Sequence, residues 1–264
     1  MLVVGELINT SRKEIGPLVA TRDREAIQRI ARRQVDNGAG MVDVNAGTMV
    51  EKETEALRWL VETVQEAVAV PLCIDSVNPA AIEAALVAHR GKALLNSISM
   101  ESSSLENLLP LVKKYGCAVV GLCMDDGGLP ETSDDRLRIA RELVQRLEEA
   151  GVARDDIYLD PLIRPISIGT EHGKIALDTI RGVKDTMPGV HVICGLSNIS
   201  FGLPHRKLLN HALLLMAMAA GLDAVILNPL DRAIMAYLRA GRTLLGEDPY
   251  CGEYIAASRQ GRFD

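Results

Sequence analysis

The chain has 264 residues, 48% of them hydrophobic, with 29 Lys and Arg against 35 Asp and Glu and a net charge of −6. That hydrophobic share is too high for a disordered chain, and the length supplies a core that needs no disulfide or metal. The acidic balance and the 3% aromatic content argue against a nucleic-acid binder held by phosphate contacts and stacking, while leaving room for anionic small molecules met locally.

Met1 runs directly into Leu2-Val3-Val4-Gly5-Glu6, without the basic segment and cleavage site of a secretory leader. The first predicted strand, Leu2–Asn9, leads to a helix over Arg24–Asn37. Strands over Met41–Gly47, Leu72–Val77, Ala93–Ser99 and Cys117–Asp125 then alternate with helices over Lys52–Ala69, Pro79–His89, Leu105–Tyr115 and Asp134–Ala150. The second half repeats the pattern, with strands over Ile157–Leu162, His191–Ile199 and Asp223–Pro229. Its helices fall over His172–Thr186, Lys207–Ala220 and Ala233–Leu245. The strands are continuous Val-, Ile- and Leu-rich runs, the composition of parallel strands buried on both faces. The helical stretches carry apolar positions on one face only.

Gly38, Gly116, Gly151 and Gly221 are placed to end helices in a left-handed conformation. Asn78-Pro79 reads as an N-cap with proline in the first turn. The longest apolar helical run, Ala212–Ala220, has nine residues and is too short to span a bilayer. Cys73, Cys117, Cys123 and Cys194 sit in apolar strand-like runs and Cys251 stands apart, with no C-x-x-C spacing. The expectation is a cytoplasmic protein with reduced, buried thiols and no zinc site. Met216 and Met218 are assigned to the core.

Eight strand–helix units without a linker predict an α/β fold, a (β/α)8 TIM barrel in which residues 1–264 form a single domain. A doubly wound sheet would need a glycine-rich phosphate turn after the first strand, and Gly5-Glu6-Leu7-Ile8-Asn9 is not one. In a barrel, chemistry gathers at the carboxyl ends of the strands. Those ends supply Glu6 and Asn9, Asp43 and Asn45, Asp75, Asn96, Asp125, Asp160, Ser197 and Asn198, and Asn228. One such residue is ordinarily a turn former. A whole rim of carboxylates and amides instead suits a ligand rich in N–H donors and repels phosphate.

Leu72-Cys73-Ile74-Asp75-Ser76, Leu95-Asn96-Ser97, Leu159-Asp160-Pro161-Leu162 and Gly195-Leu196-Ser197-Asn198-Ile199-Ser200-Phe201-Gly202 occur in that order, followed by Asn228-Pro229-Leu230-Asp231. Together they resemble the pterin-binding barrel family, whose fold is that of dihydropteroate synthase. Within that family they look like the methyltetrahydrofolate:corrinoid methyltransferases and the folate domain of cobalamin-dependent methionine synthase. The resemblance implies that Asp75, Asn96 and Asp160 hold the pterin. It implies also that Asn198 supports N5 through a hydrogen bond as the C–N bond changes, with Gly195 and Ser197 beside it. Tetrahydrofolate or 5-methyltetrahydrofolate would be the substrate. The cobalamin would arrive on a separate corrinoid protein, because Asp-x-His-x-x-Gly is absent. A homodimer is expected from the same resemblance, with no metal bound directly, no nucleic acid and no membrane.

Glu6, Asn9, Asn45 and Asn228 either serve the pocket or anchor the rim. Arg206 meets the folate tail, the partner's surface or solvent. The segment 125–135, with Gly127-Gly128, reads as a loop that either yields to a docking partner or is plain. A dihydropteroate synthase would carry lysine in the strand-7 loop and glycines after Asp160-Pro161, and this chain has neither. A non-catalytic folate-binding subunit is the other rival. The direction of transfer stays open between acetyl-CoA synthesis and the O- or N-demethylation pathways.

Overall fold

The structure, a computed structural model, describes residues 1–263. Eight strands, β1 (Leu2–Asn9), β2 (Met41–Asn45), β3 (Leu72–Asp75), β4 (Leu94–Met100), β5 (Ala118–Asp125), β6 (Ile157–Asp160), β7 (His191–Gly195) and β8 (Ala224–Leu227), pair in sequence order and close a barrel. The described neighbours are all parallel. Around them run α1 (Ile15–Ala20), α2 (Arg24–Asp36), α3 (Glu53–Gln65), α4 (Pro79–Ala88) and α5 (Ser102–Tyr115). They continue with α6 (Ser133–Glu149), α7 (His172–Thr186), α8 (Arg206–Ala220), α9 (Arg232–Leu244) and α10 (Gly252–Arg259). The short α1 and α10 lie outside the eight expected units. Several expected strands end earlier than their apolar runs suggest. β7 stops at Gly195, and the residues after it form a 3₁₀ turn over Leu196–Ser200.

The local signals act as their chemistry predicts. Gly38, Gly116, Gly151 and Gly221 all adopt positive φ. The Asn78 side chain accepts from Ala80 N at 3.1 Å, with Pro79 opening α4.

Alternation along the strands builds two cores. Outward residues such as Ile8, Val44, Ile74 and Leu95 pack beneath the helices. Inward residues form a separate cluster of Val4, Met41, Cys73, Leu94, Ala118, Val120, Ile193 and Ala224. Each fully buried Val, Leu or Ile contributes roughly 1.5–3 kcal/mol over its exposed state. Among the described residues the inner cluster fills the lower lumen as an apolar floor beneath the carboxyl end.

β1 departs from regular pairing. Its register against β2 shifts between Gly5 and Ile8. In the irregular segment the Leu7 N–H donates to Gln34 Oε1 on α2, at 3.0 Å. A Cβ on Gly5 would lie 2.5 Å from that same oxygen, so glycine gives Gln34 its room. After the shift, Ile8 faces the helices and Asn9 faces the lumen, level with Asn45.

Candidate active site

Directly above the apolar floor the lumen turns polar. Asn9 pairs with Asn45, Asn45 with Asp75, and Asp75 with Asn96, a continuous lateral row across four strands. Asp160 ends β6 in register with Leu122, and Gly195 ends β7 in register with Ile226.

The row is partly bonded to itself. Asn45 Nδ2 donates to Asp75 Oδ2 at 2.9 Å, and its Oδ1 accepts from Gly47 N at 2.9 Å. Asp160 Oδ1 accepts from Leu162 N at 2.7 Å. Asn9 Oδ1 accepts from Ser11 N at 3.0 Å, and Asn228 Oδ1 from Leu230 N at 2.9 Å. Turn formation therefore occupies one oxygen each of Asn45, Asp160, Asn9 and Asn228, while one oxygen of Asp75 is held from the neighbouring strand by Asn45. The second carboxylate oxygen of Asp75 and of Asp160 accepts no hydrogen bond among the described residues.

Burial tunes these acids. It pushes the Asp160 carboxyl up to about 6, against the Leu162 N–H and the Arg136 charge, which lower it. Burial raises Asp75 as well, while Asn45 lowers it and Glu53 adds to the rise. Asp43, beneath the row, is pushed well up by burial and then by the Asp75 and Glu6 charges; contacts with Cys73 and Asn96 oppose this. Asp43 Oδ1 is buried without a hydrogen-bond partner among the described residues. An unpartnered buried oxygen beside Asp75 marks this part of the lumen as short of hydrogen-bond donors.

Glu53, at the start of α3, holds the turn after Asp75. Its carboxylate accepts from Ser76 Oγ at 2.6 Å and Asn78 Nδ2 at 3.1 Å. Glu6 is paired with Arg12 at 2.6 Å, and it lines a cleft of about 170 Å³ with Ser197, Lys207, His211 and Asn228.

At β7 the geometry is open. A Cβ on Gly195 would meet no atom within 4 Å. Its φ of −83° suits any residue, so glycine here leaves lumen space rather than enabling a turn. Ser197 and Asn198 follow, exposed, on the 3₁₀ turn rather than on the strand. Arg206 fastens that turn. Its Nη2 donates to Ser197 O at 2.7 Å and its Nε to Ser200 Oγ at 3.1 Å. The arginine is thus engaged by the site's own backbone, a role that none of the readings from sequence offered.

Glu53 and Arg136 were not singled out by sequence, and Asp43, named there as a strand-end residue, lies beneath the row rather than in it. Arg136 had a signal: it continues the buried face of α6 set by Ile139, Ala140, Leu143 and Leu147. Met216, expected in the core, is instead exposed on α8, because the face it occupies looks away from the barrel. Met218 is buried as expected. Among the described residues no group of three or more His, Cys, Asp and Glu is arranged to hold a metal ion. No helix among them is long and apolar enough to cross a membrane.

A closed parallel barrel that carries carboxylates and amides at the carboxyl ends of its strands has the architecture of a (β/α)8-barrel enzyme. The chain belongs to the pterin binding enzyme family, matching it over residues 6–228. It is 33% identical to the methylcorrinoid:tetrahydrofolate methyltransferase of Eubacterium limosum, over 99% of this chain and 97% of that one. It is also 29% identical to methionine synthase of Mycobacterium tuberculosis, over 86% of this chain and 20% of that longer protein. Among solved structures, dihydropteroate synthase from Yersinia pestis superposes with a TM-score of 0.70 at 17% identity, over 92% of this chain and 94% of that one. The enzyme from Xanthomonas albilineans gives 0.67 at 22%, over 94% and 93%. These two likenesses establish the fold.

Proposed function

We propose that the protein is a methyltransferase that moves a methyl group between N5 of tetrahydrofolate and the cobalt of a corrinoid carried by a separate protein, with the chain acting as one pterin-binding domain. The observation that carries this reading is the likeness, across the full length of both chains, to the methylcorrinoid:tetrahydrofolate methyltransferase. That relative's name puts the methylcorrinoid as donor, which favours transfer toward tetrahydrofolate here, as in O-demethylation.

In this reading Asp75, Asn96 and Asp160 hold the pterin. Their free oxygens accept from its ring N–H and 2-amino groups. The ring face lies over Gly195, where a side chain would intrude. The corrinoid supplies the cobalt that gives or takes the methyl group. Asn198 donates its amide N–H to N5, where charge changes as the C–N bond forms or breaks. Such a bond lowers the barrier only if it strengthens in the transition state. An amide surrenders no proton, so the proton at N5 is exchanged with solvent or a pterin–water network.

Two surfaces support the partners. Val50, Val77, Leu129, Ile168 and Phe201 are exposed on the loops that follow β2, β3, β5, β6 and β7, around the open end of the lumen. An apolar collar there suits a docking corrinoid protein. Between α7 and α8 a groove of about 430 Å³ is lined by Leu177, Leu209, Leu213 and Met216, with Lys174, Asp178 and Arg181 at its edge. Apolar lining with both charges at the rim suits a second copy about a two-fold axis, hence a homodimer. The free thiols support a cytoplasmic setting.

The test is anaerobic mixing with 5-methyltetrahydrofolate and cob(I)alamin, following loss of the cob(I)alamin band; the same site serves both directions. Methylation by the wild type and a loss of turnover of roughly 100-fold or more in Asn198→Ala, with folate affinity changed far less, are expected. Folate binding without transfer to cobalamin or to a corrinoid protein would indicate a binding subunit. No folate binding would refute the reading.

A further inference from the structure

Arg136 heads the fully buried side chains of the protein, with 0% exposure. Burying a guanidinium forfeits much hydration, and its donors must find strong acceptors. They find main-chain carbonyls. Nη1 donates to Pro161 O at 2.6 Å and Leu162 O at 3.0 Å, while Nε and Nη2 both reach Pro130 O at 3.4 Å.

Two of these three carbonyls belong to prolines, in loops with few main-chain donors. Pro161 and Pro130 have no N–H to give. Leu162 adopts φ of +61°, a left-handed conformation that leucine rarely takes. It is gripped from both sides: its N–H donates to Asp160 Oδ1 at 2.7 Å and its carbonyl accepts from Arg136.

We propose that Arg136 is a positioning residue: by clamping the Pro161 and Leu162 carbonyls from behind, it fixes the turn through which the Asp160 carboxylate is aimed at an N–H-rich ligand in the lumen. The inference rests on the pterin reading for the ligand, and on the contacts above for the clamp. Through Pro130 the same guanidinium ties this turn to the loop between β5 and α6, which Arg164 and Glu131 also bridge, at 2.9 Å. Arg136 acts on charge as well as shape. Asp160 faces Arg136 from α6, Cys123 from β5 and Cys194 from β7. Burial pushes both thiols up, Cys123 to about 12, so they stay neutral. The charged neighbour of Asp160 is therefore the guanidinium, which itself faces Arg164 and Glu131.

The test compares wild type, Arg136→Lys and Arg136→Met in two measurements. Calorimetry gives tetrahydrofolate affinity from mildly acid to neutral pH. NMR of ¹³C-aspartate-labelled protein follows titration of the Asp160 carboxyl without ligand. Arg136→Met is expected to lose roughly tenfold or more in affinity at neutral pH and to titrate Asp160 at higher pH than the wild type. Arg136→Lys keeps the charge and should titrate near the wild type. It should still bind more weakly, because one ammonium cannot span three carbonyls. A lower melting temperature with affinity and titration both unmoved would overturn the proposal. If Arg136→Met does not fold, unaltered affinity in Arg136→Lys overturns it. If the wild type binds no tetrahydrofolate, the pterin reading fails, and the titration still decides whether Arg136 governs Asp160.

Discussion

Asp160 is a carboxyl that the fold tolerates at a cost. Burial raises it from an ordinary 3.8 to about 6 in the folded chain. A group raised on folding contributes stability that is present below its unfolded value and lost as pH rises through the folded one. At neutral pH the ionised side chain therefore weakens the empty fold by about 3 kcal/mol. Asp160→Asn should raise the melting temperature of the ligand-free protein at neutral pH and reduce folate affinity; a calorimetric scan and a binding titration measure the two. Wild-type affinity should fall as pH drops through about 6, and the Asn variant should lack that dependence. Unchanged affinity would remove Asp160 from the pterin site. Much of this was legible in sequence, since Asp75, Asn96 and Asp160 close apolar runs and a strand end in a barrel fixes where a side chain points. Asp43 was also visible, but its depth was not: whether a carboxyl two residues before a strand end meets ligand or lies under it depends on barrel stagger, which has no local signature.

At the scale of elements, irregularities decide which side chains reach the lumen. Strict alternation along β1 would give Glu6 and Asn9 opposite faces. The shift between Gly5 and Ile8 brings Asn9 round to the level of Asn45. Its upkeep falls to Gln34, which satisfies the Leu7 N–H. Gln34→Leu would keep the volume and leave that part-buried N–H without its side-chain partner. A loss of about 1–3 kcal/mol in urea unfolding is expected, and an unchanged midpoint would show that the bulge needs no such support. The end of β7 shows the same limit. Apolar residues through Ile199 read as continuing strand, yet the chain turns after Gly195 into the 3₁₀ turn that carries Asn198. One contact that holds this turn comes from Arg206, eight residues beyond Asn198, reaching back to Ser197 O. A pattern read along the strand does not contain it.

For the whole molecule, eight apolar runs separated by amphipathic helices were enough to specify the barrel, because closing a parallel sheet is what buries both faces of every strand. The helix faces beyond the barrel were less legible. α8 is apolar nearly all round, so Met216 and Met218 look alike in sequence while one is exposed and the other buried. If the groove between α7 and α8 receives a second copy, Met216→Glu should shift the sedimentation mass toward a monomer. A monomeric wild type would remove that interface. The apolar floor has a kinetic consequence for the proposed reaction. With the lower lumen packed by apolar side chains, folate would enter and leave at the carboxyl end, through the gap that the corrinoid protein must cover. Turnover should follow a compulsory order, folate on before the protein partner and off after it. An excess of that partner should then inhibit by trapping the empty enzyme, and added folate should relieve the inhibition.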